Sequence, residues 1–182
     1  MRRTLLTVAT AGMLAIAASA RGQDTTWHPP PHVRPEKEIR ALFDEALRRS
    51  PTLREVVDQL EEMDVTVYIR VHDLGAAGLD GRVALLSMNG THRYLVIELA
   101  CGRSDLQAMA TLGHELFHAG EIASEPSVVD AATMARYYAR IGKLTGSTDE
   151  GRRTYETRAA AAMGTRVRQE LLTSSTRNSN GT

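Results

Sequence analysis

The chain has 182 residues, enough for one domain with a core of its own. Lys plus Arg and Asp plus Glu are balanced at 22 each, so the formal net charge is zero and nothing suggests a nucleic-acid footprint, which would need a basic face. Aromatic residues make up only 4% of the chain, so its 42% hydrophobic content must pack mainly through Leu, Val, Ile, Ala and Met.

Residues 1–22 read as a secretory signal peptide. Arg2 and Arg3 precede an apolar run, Leu5–Ala18, and small residues follow at Ala18-Ser19-Ala20 and Ala20-Arg21-Gly22. The run falls short of the about 20 residues that span a bilayer. The expectation is an exported protein, periplasmic or secreted, with no stable membrane insertion after cleavage. Cys101 is the single cysteine, so no internal disulfide forms. An exported domain without one is held by its core or by a metal.

Residues 23–35 form a Pro-rich linker. His28 and His32 lie four apart there, but Pro29, Pro30 and Pro31 forbid a shared helical face. From 36 to 172 the patterning is that of a single domain. Ile39, Leu42, Phe43, Ala46 and Leu47 mark an amphipathic helix. Ser50 then suits an N-cap and Pro51 a first helical position, with Leu53, Val56, Val57 and Leu60 as the stripe of a second helix. Nothing in residues 36–63 separates a regulatory segment from ordinary packing. Strict alternation at Val65, Val67, Ile69 and Val71 gives a strand, 65–71. Asn89-Gly90 between two apolar runs gives a hairpin of strands 82–88 and 92–99, reached through a Gly-rich loop.

Ser104 and Gln107 form a capping box that opens a helix running to about Ala123, with an apolar stripe of Leu106, Met109, Ala110, Gly113 and Phe117. A further helix runs over 125–142 and stops at Gly142. Residues 143–151 read as a loop. A last, Ala-rich helix carries Glu156, Ala159, Ala160, Met163, Val167 and Leu171 on one face, and 173–182 as a disordered tail. The expected fold is α+β: a small antiparallel sheet of about three strands packed on helices.

The chemistry concentrates in "HELFH", residues 114–118. On a helix, His114 and His118 stand one above the other, about 5–6 Å apart at Cβ, and both imidazoles can reach one Zn²⁺. Glu115 lies about 100° round the helix from His114, placed to hydrogen-bond the metal's water and not to bind the metal.

This motif, on a helix that follows a strand hairpin, resembles the zincin metallopeptidases, in which an edge strand binds substrate beside the HExxH helix. In their gluzincin branch a glutamate from a later helix is the third ligand, and the resemblance implies Glu156 for that role. It covers roughly residues 60–172. Ala159 and Ala160 would let the later helix approach closely. Many gluzincins place an acidic residue after that glutamate to orient a histidine, whereas residues 159–162 are all alanine here. Asp130, Glu121 or a backbone carbonyl would have to do that work. Glu121 also competes as third ligand, but it stands a turn past His118 and would reach back, whereas a second helix closes a tetrahedron more easily. Tyr137, Tyr138, Tyr155 and His92 are candidate oxyanion donors that spacing does not separate; His72 reads as a surface residue.

The expectation is a zinc-dependent peptidase acting on peptides or proteins, with Zn²⁺ as cofactor, a metal-activated water and Glu115 as general base. Zinc binding without turnover, or hydrolysis of another substrate class on the same scaffold, are the alternatives.

Overall fold

The computed structural model describes residues 31–74, 78–147 and 153–179. The expected signal peptide and most of the expected linker lie outside these residues. The fold is α+β; the described residues form five helices, a mixed four-stranded sheet and a separate two-stranded one.

The helices follow the apolar periodicity. α1 (Lys37–Arg49) buries Ile39, Phe43 and Ala46. α2 (Pro51–Glu61) starts as expected, with the Leu53 amide donating to Ser50 Oγ at 3.0 Å and Pro51 in the first turn. The N-terminus of α2 is then closed by a distant residue: the Thr52 amide and hydroxyl and the Ser50 hydroxyl all donate to the Glu170 carboxylate. Residues 36–63 are therefore part of the packed body, with Ile39, Phe43, Leu53, Val56 and Leu60 in its core.

The sheet differs from the antiparallel three-stranded one expected. Its order is β1-β2-β4-β3, from β1 (Val33–Pro35), β2 (Val65–His72), β3 (Gly81–Asn89) and β4 (His92–Ala100). β1, β2 and β4 are parallel, and only the edge strand β3 runs antiparallel to its neighbour. Sequence order suggests β2 beside β3, but β4 takes that place. The reason lies in β4 itself, which is buried continuously from Leu95 to Ala100 and belongs at the sheet centre. β1 falls in the stretch read as linker. An edge position tolerates Pro35, whose missing N–H would break an inner ladder. The expected hairpin forms, but Asn89 pairs with His92 and the two turn residues are Gly90 and Thr91, with Gly90 at φ 60°.

One sheet face, Val65, Val67 and Ile69 of β2 with Leu95, Ile97 and Leu99 of β4, packs on the helices. On the other, Glu98 is almost fully buried between its two cross-strand partners, accepting from Arg70 Nε at 3.0 Å and from Arg82. Burial pushes the Glu98 carboxyl up, but the two guanidiniums outweigh it and hold the pKa below the usual value.

α3 (Asp105–Ser124) begins at Ser104, whose Oγ accepts from the Gln107 amide at 3.4 Å. The reciprocal half of the capping box is replaced, because the Gln107 side chain donates to Asp80 instead. α3 is buried on more faces than the expected stripe allows. Leu112, Leu116, Ala119 and Ile122 are fully buried and Phe117 only partly so. The sheet lies on one side of it, and α2 and α5 (Arg158–Ser179) on another.

The C-terminal third also departs from expectation. α4 spans only Ala131–Ile141, and Asp130 forms its capping box with Thr133. Residues read as a loop form β5 (Lys143–Ser147), paired with β6 (Arg153–Glu156). Glu156 therefore ends a strand and precedes α5, where a helical position was expected. α5 continues past the expected start of the tail, held there by Arg49, which donates to Ser174 Oγ at 3.0 Å.

α5 meets α3 over small residues. A Cβ on Gly113 would lie 2.8 Å from Val167 Cγ2, and one on Gly164 would lie 3.2 Å from His114 Cβ. Ala160 is fully buried while Ala159 is exposed, so Ala160 and Gly164 make the close approach, and not the expected Ala159. Val167 is β-branched and stiff in a helix, so it cannot swing away. Gly113→Ala should therefore destabilise the fold by about 1–3 kcal/mol despite alanine's better helix propensity, and adding Val167→Ala should recover part of that loss. Chemical denaturation of both variants checks this; a stabilised Gly113→Ala would refute the close contact.

Candidate metal centre

α3 presents His114 and His118 toward the segment where β6 gives way to α5, and Glu115 toward the start of β3. The two imidazoles are 4.9 Å apart between ring centroids, at 77°. Glu156 faces both: its Oε2 lies 3.1 Å from His114 Nε2 and its Oε1 3.5 Å from His118 Nε2. His114, His118 and Glu156 form the only group of three or more His, Cys, Asp or Glu side chains, among the described residues, able to hold a metal ion.

A metal fits this set better than direct hydrogen bonding does. Glu156 Oε1 is buried and has no hydrogen-bond partner. Such an atom carries a desolvation penalty that no hydrogen bond in the protein offsets. Ligands at about 2.0–2.1 Å from a tetrahedral ion stand about 3.3–3.4 Å from one another by geometry, close to both spacings above. The donors, two imidazole nitrogens and a carboxylate oxygen, suit Zn²⁺.

Each histidine is oriented from behind. His118 Nδ1 is 2.7 Å from Glu121 Oε2, which turns Nε2 toward Glu156. Glu121 thus meets the far side of the ring and is not part of the His114, His118 and Glu156 group. Glu121 Oε1 in turn accepts from the Thr157 hydroxyl at 2.8 Å. His114 has a hydrogen bond to the Ala160 backbone in the first turn of α5. The Tyr138 ring stands edge-on to His118 at 5.3 Å, and its hydroxyl donates to the His118 carbonyl at 3.2 Å.

The other expected residues lie elsewhere. Asp130 is committed to the cap of α4 and orients no histidine. His92 sits between Asp64 and Thr66 at the start of β4. Tyr138 spends its hydroxyl on the backbone, where an oxyanion donor was considered. Tyr137 packs on Tyr138 and under Arg140. Tyr155 adjoins Glu156 on a strand, so it faces the opposite side and packs at the edge of the core. Three features went unread in the sequence. Thr157 carried an N-cap signal, and Gly164 broke an alanine run. Gly81 gave no signal at all, yet a Cβ there would lie 2.6 Å from Thr111 Cγ2 and 3.2 Å from Glu115 Oε1. Only glycine lets the start of β3 lie over Glu115.

The electrostatics set the three titrating groups apart. Burial pushes the Glu115 carboxyl up to about 7, helped by Glu156 and opposed by His118. Burial pulls His118 down, but Glu121 and Glu156 outweigh it and raise it to about 9. Burial lowers His114, against the opposing charge of Glu156.

A carboxyl raised from 4.5 to about 7 on folding favours the native state below pH 4.5 and loses that advantage as pH rises through 7. In metal-free protein, Glu115→Gln should therefore raise the melting temperature at pH 8, by an amount on the order of 3 kcal/mol in stability, and change little at pH 4. Thermal melts of chelator-treated parent and variant across that range test it; equal melting at pH 8 would refute it.

No family model, curated protein or solved structure matches this chain.

Proposed function

We propose that the protein is a zinc-dependent peptidase in which His114, His118 and Glu156 hold the metal and Glu115 is the general base. The observation that carries this reading is the arrangement around Glu156 Oε1: a buried, unpartnered carboxylate oxygen facing two imidazoles, with a second buried carboxyl on the same helix. Zinc, when bound, would acidify a water and polarise a carbonyl.

The rest falls to the chain's own residues. Glu115 takes a proton from the attacking water and passes it to the leaving amine. Its burial suits that task, because a carboxyl titrating near 7 accepts and releases a proton at comparable cost. Glu121 and the Ala160 backbone fix the ring orientations of His118 and His114. The edge strand β3 passes over Glu115 at Gly81, with its outer edge unpaired in the sheet. An extended peptide is the substrate class that suits such an edge. No described helix is long and apolar enough to cross a membrane. The leader-like residues 1–22 support action outside the cytoplasm.

Hydrolysis of casein or a peptide mixture, with and without a chelator, tests the activity. Glu115→Gln should keep stoichiometric zinc and lose about 10²–10⁴-fold in turnover. Glu156→Ala should lose zinc and, with it, the melting-temperature gain that metal confers. Full turnover by Glu115→Gln, or full zinc retention by Glu156→Ala, would overturn the assignment.

A further inference from the structure

Thr157 follows the third member of the metal cluster and is almost fully buried, although its side chain is polar. Its hydroxyl makes two contacts. It accepts from the Ala160 amide at 3.1 Å, which caps α5, and it donates to Glu121 Oε1 at 2.8 Å. Capping alone needs only the first. The second spends the hydroxyl's single proton on a carboxylate whose other oxygen, Oε2, is 2.7 Å from His118 Nδ1.

We infer that Thr157 is a positioning residue for the metal site, acting through Glu121 on the ring of His118. This rests on the reading that His118 is a metal ligand. The physical case is one of geometry. Glu121 is on the same helix as His118, three residues on, and a flexible side chain there has several rotamers to choose from. Thr157 pins one carboxylate oxygen, which aims the other at Nδ1 and leaves Nε2 facing Glu156. Because Thr157 adjoins Glu156 in the chain, docking of this one segment delivers a ligand and orients another. The His118–Glu121 pair also gains a third member, so the half-buried Glu121 carboxylate has both oxygens occupied.

A capping role and a positioning role differ in whether they depend on Glu121. Thr157→Gly is the informative variant, since glycine starts a helix nearly as well as threonine but has no hydroxyl. Zinc affinity, measured by competition with a chromophoric chelator, should fall about 10–100-fold in Thr157→Gly and Thr157→Val, and stay near parental in Thr157→Ser. The visible absorption of the Co²⁺-loaded protein should shift in the Gly and Val variants. In a Glu121→Ala background, Thr157→Gly should weaken zinc no further.

Parental affinity in Thr157→Gly, or the same loss with and without Glu121, would overturn the inference. The readout is metal binding and not hydrolysis. A parent that binds zinc without cleaving peptides therefore defeats the proposed activity and leaves this inference standing. A parent that binds no zinc defeats both.

Discussion

The packing of α5 against α3 is the constraint from which the site follows. Helix axes approach this closely only where side chains are small, and Gly113 and Gly164 supply that on opposite partners. The contact sets the first turn of α5 beside His114, which brings the Ala160 backbone to its ring. It sets Thr157 against Glu121 and Glu156 against both imidazoles. A bulkier seam would separate all of these at once. The same helix reaches back through Glu170 to close the N-terminus of α2, so its position is fixed at both ends of the domain.

Within that seam the charges are unbalanced. Glu115, Glu121 and Glu156 surround two histidines in a region largely withdrawn from water. The protein relieves part of the strain by raising the Glu115 carboxyl toward neutrality, and part by holding His118 between two carboxylates. One buried carboxylate oxygen is still left unpartnered. A divalent cation at that point would relieve what the side chains do not, the usual economy of a site whose full stability comes with its metal. In the proposed reaction the same imbalance keeps Glu115 ready to exchange a proton near neutral pH.

The sheet contributes by what it does at its edge. Glu98 and its two arginines occupy the face away from the helices, while the helix-facing side is apolar apart from buried Arg93, which donates to the Val128 and Glu125 carbonyls past the end of α3. β3, the one antiparallel strand, ends the sheet on the side where it packs on α3. Gly81 at its start removes the side chain that would otherwise displace Thr111 and crowd Glu115. The relation of edge strand to helix is therefore set by a residue whose contribution is the space it leaves.

Much of this was legible along the chain, because local rules govern it. Apolar periodicity gave α1, α2, α3 and α5, Ser50-Pro51 and Ser104 gave helix starts, and Asn89-Gly90 gave the hairpin. His114 and His118 share a helical face by spacing alone, and that held. What spacing could not supply was anything depending on approach between distant segments. The parallel pairing of β2 with β4 is decided by which strand is buried on both faces, a property of the assembled sheet. The β5–β6 ribbon is short and polar, so its strands have no hydrophobic alternation to betray them; Leu144 is their one large aliphatic residue, and it is exposed. Glu156 was expected on a helix because the Ala-rich pattern runs on from it, yet Thr157 caps the helix one residue later. Glu121 could be read as ligand or orienting group until the fold put it behind the ring of His118. The sequence by itself determined which side chains could share a metal site, because their types and helical spacing are local. Only the tertiary structure decided which of them come together, because that depends on which atom of a neighbour each one meets across the α3–α5 seam.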